Sequence, residues 1–106
     1  MPAWSRRGTP GEWDEASFNF EGSGVVIVGT MTQEGGRADV YLDGARAGEV
    51  DAWIPERTND NDYWHVTGLK NGKHTVRLVT RKDADSRSKG QKIRVDWAVV
   101  YGPSAP

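Results

Sequence analysis

Apolar and polar residues alternate along most of this chain, and glycine, proline, asparagine or aspartate breaks the runs at short intervals. Period-two alternation marks strands with one buried face, and frequent breakers mark a sandwich or barrel. Residues 16–21 put Phe18 and Phe20 on one face. Residues 24–30 carry the continuous run Val25-Val26-Ile27-Val28, as expected of a strand covered on both sides. After a turn at Gly35-Gly36, residues 37–43 set Ala38, Val40 and Leu42 against Arg37, Asp39, Tyr41 and Asp43. Asp43-Gly44 is a hairpin signal. The return strand, 46–54, carries Val50, Ala52 and Ile54 on one side and Glu49, Asp51 and Trp53 on the other.

The pattern continues through a polar loop, 55–62, a short strand, 63–67, and a hairpin-type turn at Asn71-Gly72. Residues 73–82 point His74, Val76 and Leu78 inward and Thr75, Arg77 and Arg81 outward. A second polar loop covers 83–90. The last strand, 91–101, aligns Ile93, Val95, Trp97, Val99 and Tyr101 on one face, which places Trp97 in the core. No helical window appears. The pattern predicts a single all-β domain, an antiparallel sandwich over 16–101. An N-terminal arm (1–15) precedes it, and a tail or linker start (102–106) follows.

Composition narrows the function. A chain of 106 residues fits one domain. With 36% hydrophobic and 27% charged residues it has a globular balance. Fourteen basic and fifteen acidic residues leave a net charge of −1, so no global field draws it to nucleic acid or to an anionic membrane. The basic residues between Arg77 and Arg94 are interrupted by acidic ones, which weakens any nucleic-acid stripe. There is no cysteine, hence no disulfide, thiolate metal site or cysteine nucleophile. No stretch approaches the ~20 apolar residues of a membrane helix. The segment Met1–Arg7 lacks a signal-peptide core, and Gly102–Pro106 reads like a linker start. An excised domain is the favoured reading, extracellular or periplasmic if its parent is a secreted enzyme.

Catalysis finds little support. The two histidines, His65 and His74, lie inside strand patterns, and Gly22-Ser23-Gly24 lacks the spacing of a nucleophile elbow. No phosphate-binding or dinucleotide fingerprint occurs. Carboxylates are plentiful, but paired-carboxylate catalysis needs a cleft, and a short sandwich has little spare chain to build one. His74, on the inward parity, reads as structural.

The five tryptophans are more informative. Trp53 shares its strand face with Glu49 and Asp51 and should be at least partly exposed. Trp64 borders the polar loop. Trp4 and Trp13 lie in the arm, exposed or pinning it to the sandwich. By parity, Asp39, Tyr41, Asp51, Trp53, Arg77, Arg81 and Asp96 all point outward. Aromatic rings stack on the apolar face of a pyranose, while carboxylates and guanidinium groups bridge its hydroxyls. The expected ligand-binding set is therefore Trp53, Tyr41, Asp51, Arg77 and Arg81, with Trp64 and Arg57 beside the polar loop, and the expected partner is a glycan. Ordinary cross-strand ion pairing explains the same face without a ligand. Asp60 and Asp62 offer oxygen ligands for a structural calcium ion. They lack the glycine and closing glutamate of an EF-hand loop, and turn formation accounts for them equally well. No other cofactor is implied.

The segments Phe20-Glu21-Gly22-Ser23-Gly24-Val25, Ala38-Asp39-Val40-Tyr41-Leu42-Asp43-Gly44, Val50-Asp51, Gly68-Leu69, Gly72-Lys73-His74-Thr75-Val76 and Val95-Asp96 resemble a jelly-roll accessory domain. Such domains are attached to bacterial glycoside hydrolases, esterases and related enzymes, and similar ones end some ADP-ribosylglycohydrolase-like proteins. Many are carbohydrate-binding modules, and others brace their host. The resemblance spans residues 16–101 and implies a non-catalytic carbohydrate-binding module or, alternatively, a structural domain packed on an attached catalytic domain. The loop 56–62 departs from the commoner pattern, so the resemblance carries over no ligand residues.

Overall fold

The computed structural model describes the backbone of residues 5–9 and 12–102 and the side chains of residues 15–102. These contain eight strands: β1 (Ser5–Thr9), β2 (Glu12–Gly22), β3 (Gly24–Met31), β4 (Arg37–Leu42), β5 (Ala45–Asp51), β6 (Thr58–Val66), β7 (Gly72–Thr80) and β8 (Arg94–Tyr101). They form a five-stranded sheet in the order β1-β2-β7-β4-β5 and a three-stranded sheet in the order β6-β3-β8. Every ladder is antiparallel. The chain is the all-β sandwich that the alternation predicts, with no helix among the described residues. Residues 5–9 and 12–15, within the expected arm, lie in β1 and the start of β2. Trp4 and the Trp13 side chain fall outside the described residues.

Local chemistry sets the β4–β5 turn. Asp43 and Gly44 both take positive φ, 51° and 86°, as a tight hairpin turn requires. Between the sheets, Phe18, Phe20, Val25, Ile27, Val40, Val50, Val76, Leu78, Ile93 and Val95 form one buried cluster. Each such side chain contributes roughly 1.5–3 kcal/mol when fully removed from water.

The last strand departs from the sequence reading. Along the β3–β8 ladder Val28 opposes Trp97 and Gly29 opposes Val95, so Asp96 has no opposite residue. On the other flank of β3, Ile27 opposes Trp64 and Val28 opposes Asp62, which leaves Tyr63 unopposed. An extra residue in a ladder exchanges the two faces of the strand beyond it. Ile93 and Val95 are buried before the bulge, as expected. Beyond it, Ala98 and Val100 pack on the core, and Trp97, Val99 and Tyr101 turn outward at 39%, 40% and 49% exposure. Trp97 is therefore not a core residue.

Three side-chain features hold the paired bulges. The Tyr63 ring lies over Gly29, where a Cβ would stand 2.3 Å from Cε2. Its hydroxyl donates to the Thr30 carbonyl and accepts from the Arg94 amide at 3.3 Å. The Thr30 hydroxyl donates to Asp96 Oδ2 at 2.7 Å. Burial pushes the Tyr63 phenol up to about 12, so it stays protonated and able to donate.

Two further boundaries moved. Residues 58–62, read as loop, are the first half of β6, and β5 ends at Asp51, with Trp53 on an isolated bridge to Thr32.

Candidate functional site

The outer face of the five-stranded sheet holds Tyr41, Asp51, Arg77 and Arg81 together, as parity requires. Tyr41 stands directly opposite Arg77, whose guanidinium carbon lies 4.7 Å from the ring centroid. Arg81 reaches Asp83 at 2.8 Å and Glu49 at 2.7 Å. Arg37 bridges Asp51 at 3.2 Å and Asp83 at 3.3 Å, and Arg46 meets Asp39 at 3.1 Å. The polar groups of this face thus answer one another across strands. Each exposed pair adds little stability, but together they occupy the hydrogen-bonding groups that a sugar would need.

Trp53 lies at the end of the same face and is half-buried. Its amide donates to Asp51 Oδ1 at 3.1 Å. The Arg87 guanidinium covers its ring, 3.9 Å from the centroid. Asp85 grips that guanidinium in a fork, at 2.9 and 3.0 Å, and the pairing holds the Asp85 carboxyl down to about 2. The Trp53 Nε1 is buried and has no hydrogen-bond partner. The segment carrying Arg87 is tied down by Ser88 Oγ, which donates to the Gly35 carbonyl at 2.7 Å, and by the Lys89 amide, which donates to the Gln33 carbonyl at 2.8 Å.

The remaining predicted residues lie elsewhere. Trp64 is half-buried on β6 against the core, its indole close enough to Gly48 to leave no room for a side chain there. Asp60 is exposed on β6 with φ 60°, and Asp62 Oδ2 lies 2.6 Å from His65 Nδ1. The described residues contain no group of three His, Cys, Asp or Glu side chains placed to share a metal ion. His74 has both ring nitrogens engaged, Nδ1 by Asp43 and Nε2 by the Lys70 carbonyl, each at 2.7 Å. Neither imidazole is hydrogen-bonded to a hydroxyl nucleophile among the described residues.

Arg57 lines a groove of about 730 Å³ at one end of the sandwich, between the turn after β3, the segment before β6 and the segment before β8. Gln33 Nε2 ties the first two walls by donating to the Pro55 carbonyl at 2.7 Å. Lys92 pairs with Glu34 at 2.6 Å, and this hydrogen bond holds the Glu34 carboxyl below its ordinary value. Arg94 pairs with Asp96 at 3.3 Å. Arg57 reaches only the Asn59 amide oxygen, at 3.4 Å, and neither Arg57 nor Lys89 makes an ion pair among the described residues.

The outward row of β8 is a surface that the sequence reading missed. Trp97, Val99 and Tyr101 are the exposed large hydrophobics among the described residues. Val26, half-buried, opposes Val99 and extends the apolar surface onto β3, while Val28, opposite Trp97, is buried. The signal was present in the sequence. Ala98 and Val100 make the second parity of this strand apolar as well, so alternation could not decide which side faces the core.

Residues 4–96 match the family described as "Carbohydrate esterase 2 N-terminal", a match that stops one residue before Trp97. Two curated relatives come from Flavonifractor plautii. The chain is 37% identical over 62 residues to "A type blood N-acetyl-alpha-D-galactosamine deacetylase", covering 58% of this chain and 8% of the relative. It is 38% identical over 64 residues to "A type blood alpha-D-galactosamine galactosaminidase", covering 60% of this chain and 6% of the relative. The chain therefore spans a small fraction of either relative's length. Among solved structures, a Paenibacillus xanthan lyase superposes with a TM-score of 0.60 at 10% identity, over 97% of this chain and 12% of that one. That likeness is one of fold.

Proposed function

This chain belongs to the carbohydrate esterase 2 N-terminal family, and from that premise we propose that it is a non-catalytic accessory domain which packs on a neighbouring domain of a carbohydrate-active enzyme through the outer face of its three-stranded sheet. The carrying observation is the exposed row Trp97-Val99-Tyr101 beside the half-buried Val26. A contiguous apolar surface of this kind marks an interaction site. The outward positions from Trp97 to Tyr101 carry no charged group, and the nearest ones across β3, Asp62 and His65, are paired with each other. Trp and Tyr are also the residues that most often dominate protein interfaces.

The test is titration of the chain with the esterase portion of a protein of this family. Saturable binding is expected, weakened by about tenfold or more in Trp97→Ala/Tyr101→Ala, as for loss of interface anchors. Undiminished binding by the double variant would refute the docking face.

A second reading, direct binding of a glycan, is favoured by a different feature. On the five-stranded sheet a sugar must displace Arg77 from Tyr41 or Arg87 from Trp53. The groove beside Arg57 asks for no such displacement, and its lining carries more cations than carboxylates.

A further inference from the structure

Although the chain has a net charge of −1, the groove lining carries four cations, Arg57, Lys89, Lys92 and Arg94, against two carboxylates, Glu34 and Glu56. Lys92 and Arg94 are neutralised by Glu34 and Asp96. Arg57 and Lys89, on two different walls, make no direct ion pair among the described residues, although Lys89 lies near enough to Glu34 to help lower its pKa. Unpaired cations on converging walls form a local site for an anion. A guanidinium fork matches a carboxylate in particular, because both are planar and can make two parallel hydrogen bonds.

The lining is not uniformly basic. Glu56 stands beside Arg57 without an ion pair among the described residues. Its carboxylate accepts hydrogen bonds from hydroxyls and opposes a densely charged polyphosphate more strongly than a singly charged acid. Thr32 and Gln33 add neutral polar groups. The groove volume of about 730 Å³ falls within the roughly 300–1,000 Å³ of small-ligand sites. Backbone and side-chain hydrogen bonds from Gln33 to Pro55 and from Ser88 and Lys89 to the turn after β3 fix the walls in advance, which lowers the ordering cost of binding.

We propose that this groove binds an acidic sugar unit, a pyranose bearing a carboxylate, with Arg57 and Lys89 holding the acid group and Glu56 and Gln33 holding hydroxyls. The inference rests on the second reading above and is independent of the β8 docking face. It concerns a binding site only, with no covalent step.

The experiment is calorimetric titration of the 106-residue chain with a short oligogalacturonide, with the matching neutral galacto-oligosaccharide and with a sulfated galacto-oligosaccharide of equal length. Binding of the uronide but not of the neutral sugar is expected. Arg57→Ala and Lys89→Ala should each weaken it by about tenfold, as when a charge-assisted hydrogen bond is removed. Thermal melts of both variants should match the parent, because neither side chain supports an ion pair. No binding of the uronide overturns the proposal, as does equal binding of the neutral sugar or unchanged affinity in both variants. Tighter binding of the sulfated sugar would show general attraction for polyanions and would also overturn it. Titration with the esterase portion is untouched by these substitutions, so failure here and failure of docking are read separately.

Discussion

Arg87 and Trp53 are stacked, guanidinium over indole at 3.9 Å, and Asp85 holds the guanidinium in place. Parity brings Trp53 to the outer face, and the loop that follows β7 then covers it. Arg87→Ala should uncover the ring. Acrylamide should then quench Trp53 fluorescence more strongly, read in a background in which the other tryptophans are phenylalanine. The stability loss should be small, because the cation–π pair is exposed to solvent. Any glycan that stacks on Trp53 should bind the variant more tightly than the parent. Unchanged quenching would mean that Arg87 does not shield the ring in solution.

The paired bulges make a second prediction. Tyr63→Phe removes a hydroxyl that serves both the buried Thr30 carbonyl and the part-buried Arg94 amide. The expected cost is about 1–3 kcal/mol. Hydrogen exchange should accelerate at Arg94, whose amide loses its acceptor. A melting temperature equal to the parent's, with Arg94 still protected, would contradict this account of how β3 and β8 are locked.

Alternation was enough to read most of the sandwich, because Phe18, Val40, Val50 and Val76 each have polar neighbours that fix their parity. It failed where that contrast vanished. From Trp97 to Tyr101 both parities are apolar, and the bulge opposite Gly29 then decides the facing. Nothing local announces that bulge, since it depends on the Tyr63 ring arriving from another strand. The outer-face residues Tyr41, Asp51, Arg77 and Arg81 were grouped correctly by parity. Trp64 and Arg57 were not members of that face. The cover over Trp53 and the groove beside Arg57 were illegible for a different reason, as each joins segments far apart in sequence. The turn at 32–34, the segment at 55–57 and the segment at 89–94 meet only once both sheets are folded.

His74 gives the fold a pH dependence with a definite sign. Its Nδ1 faces Asp43 Oδ2 and its Nε2 faces the Lys70 carbonyl, both at 2.7 Å. Two acceptors suit an imidazolium, which donates from both nitrogens, better than a neutral ring, which donates from one. The Asp43 hydrogen bond, then the Lys70 carbonyl, therefore raise the His74 pKa above its ordinary value. The same pair, with the Thr75 amide donating at 2.8 Å, lowers that of Asp43. In the unfolded chain His74 titrates near about 6.5 and Asp43 near about 3.9. The histidine contribution is fully present below the first value and is lost as pH rises through the raised folded pKa. The aspartate contribution is present above the second value and is lost as pH falls through the lowered one. Both act together between them, at about pH 5–6. The chain should therefore melt higher at about pH 5.5 than at about pH 8.5, and His74→Gln should flatten that difference. A parent that melts at the same or a higher temperature at the alkaline pH would show that the imidazolium is not the form the fold prefers.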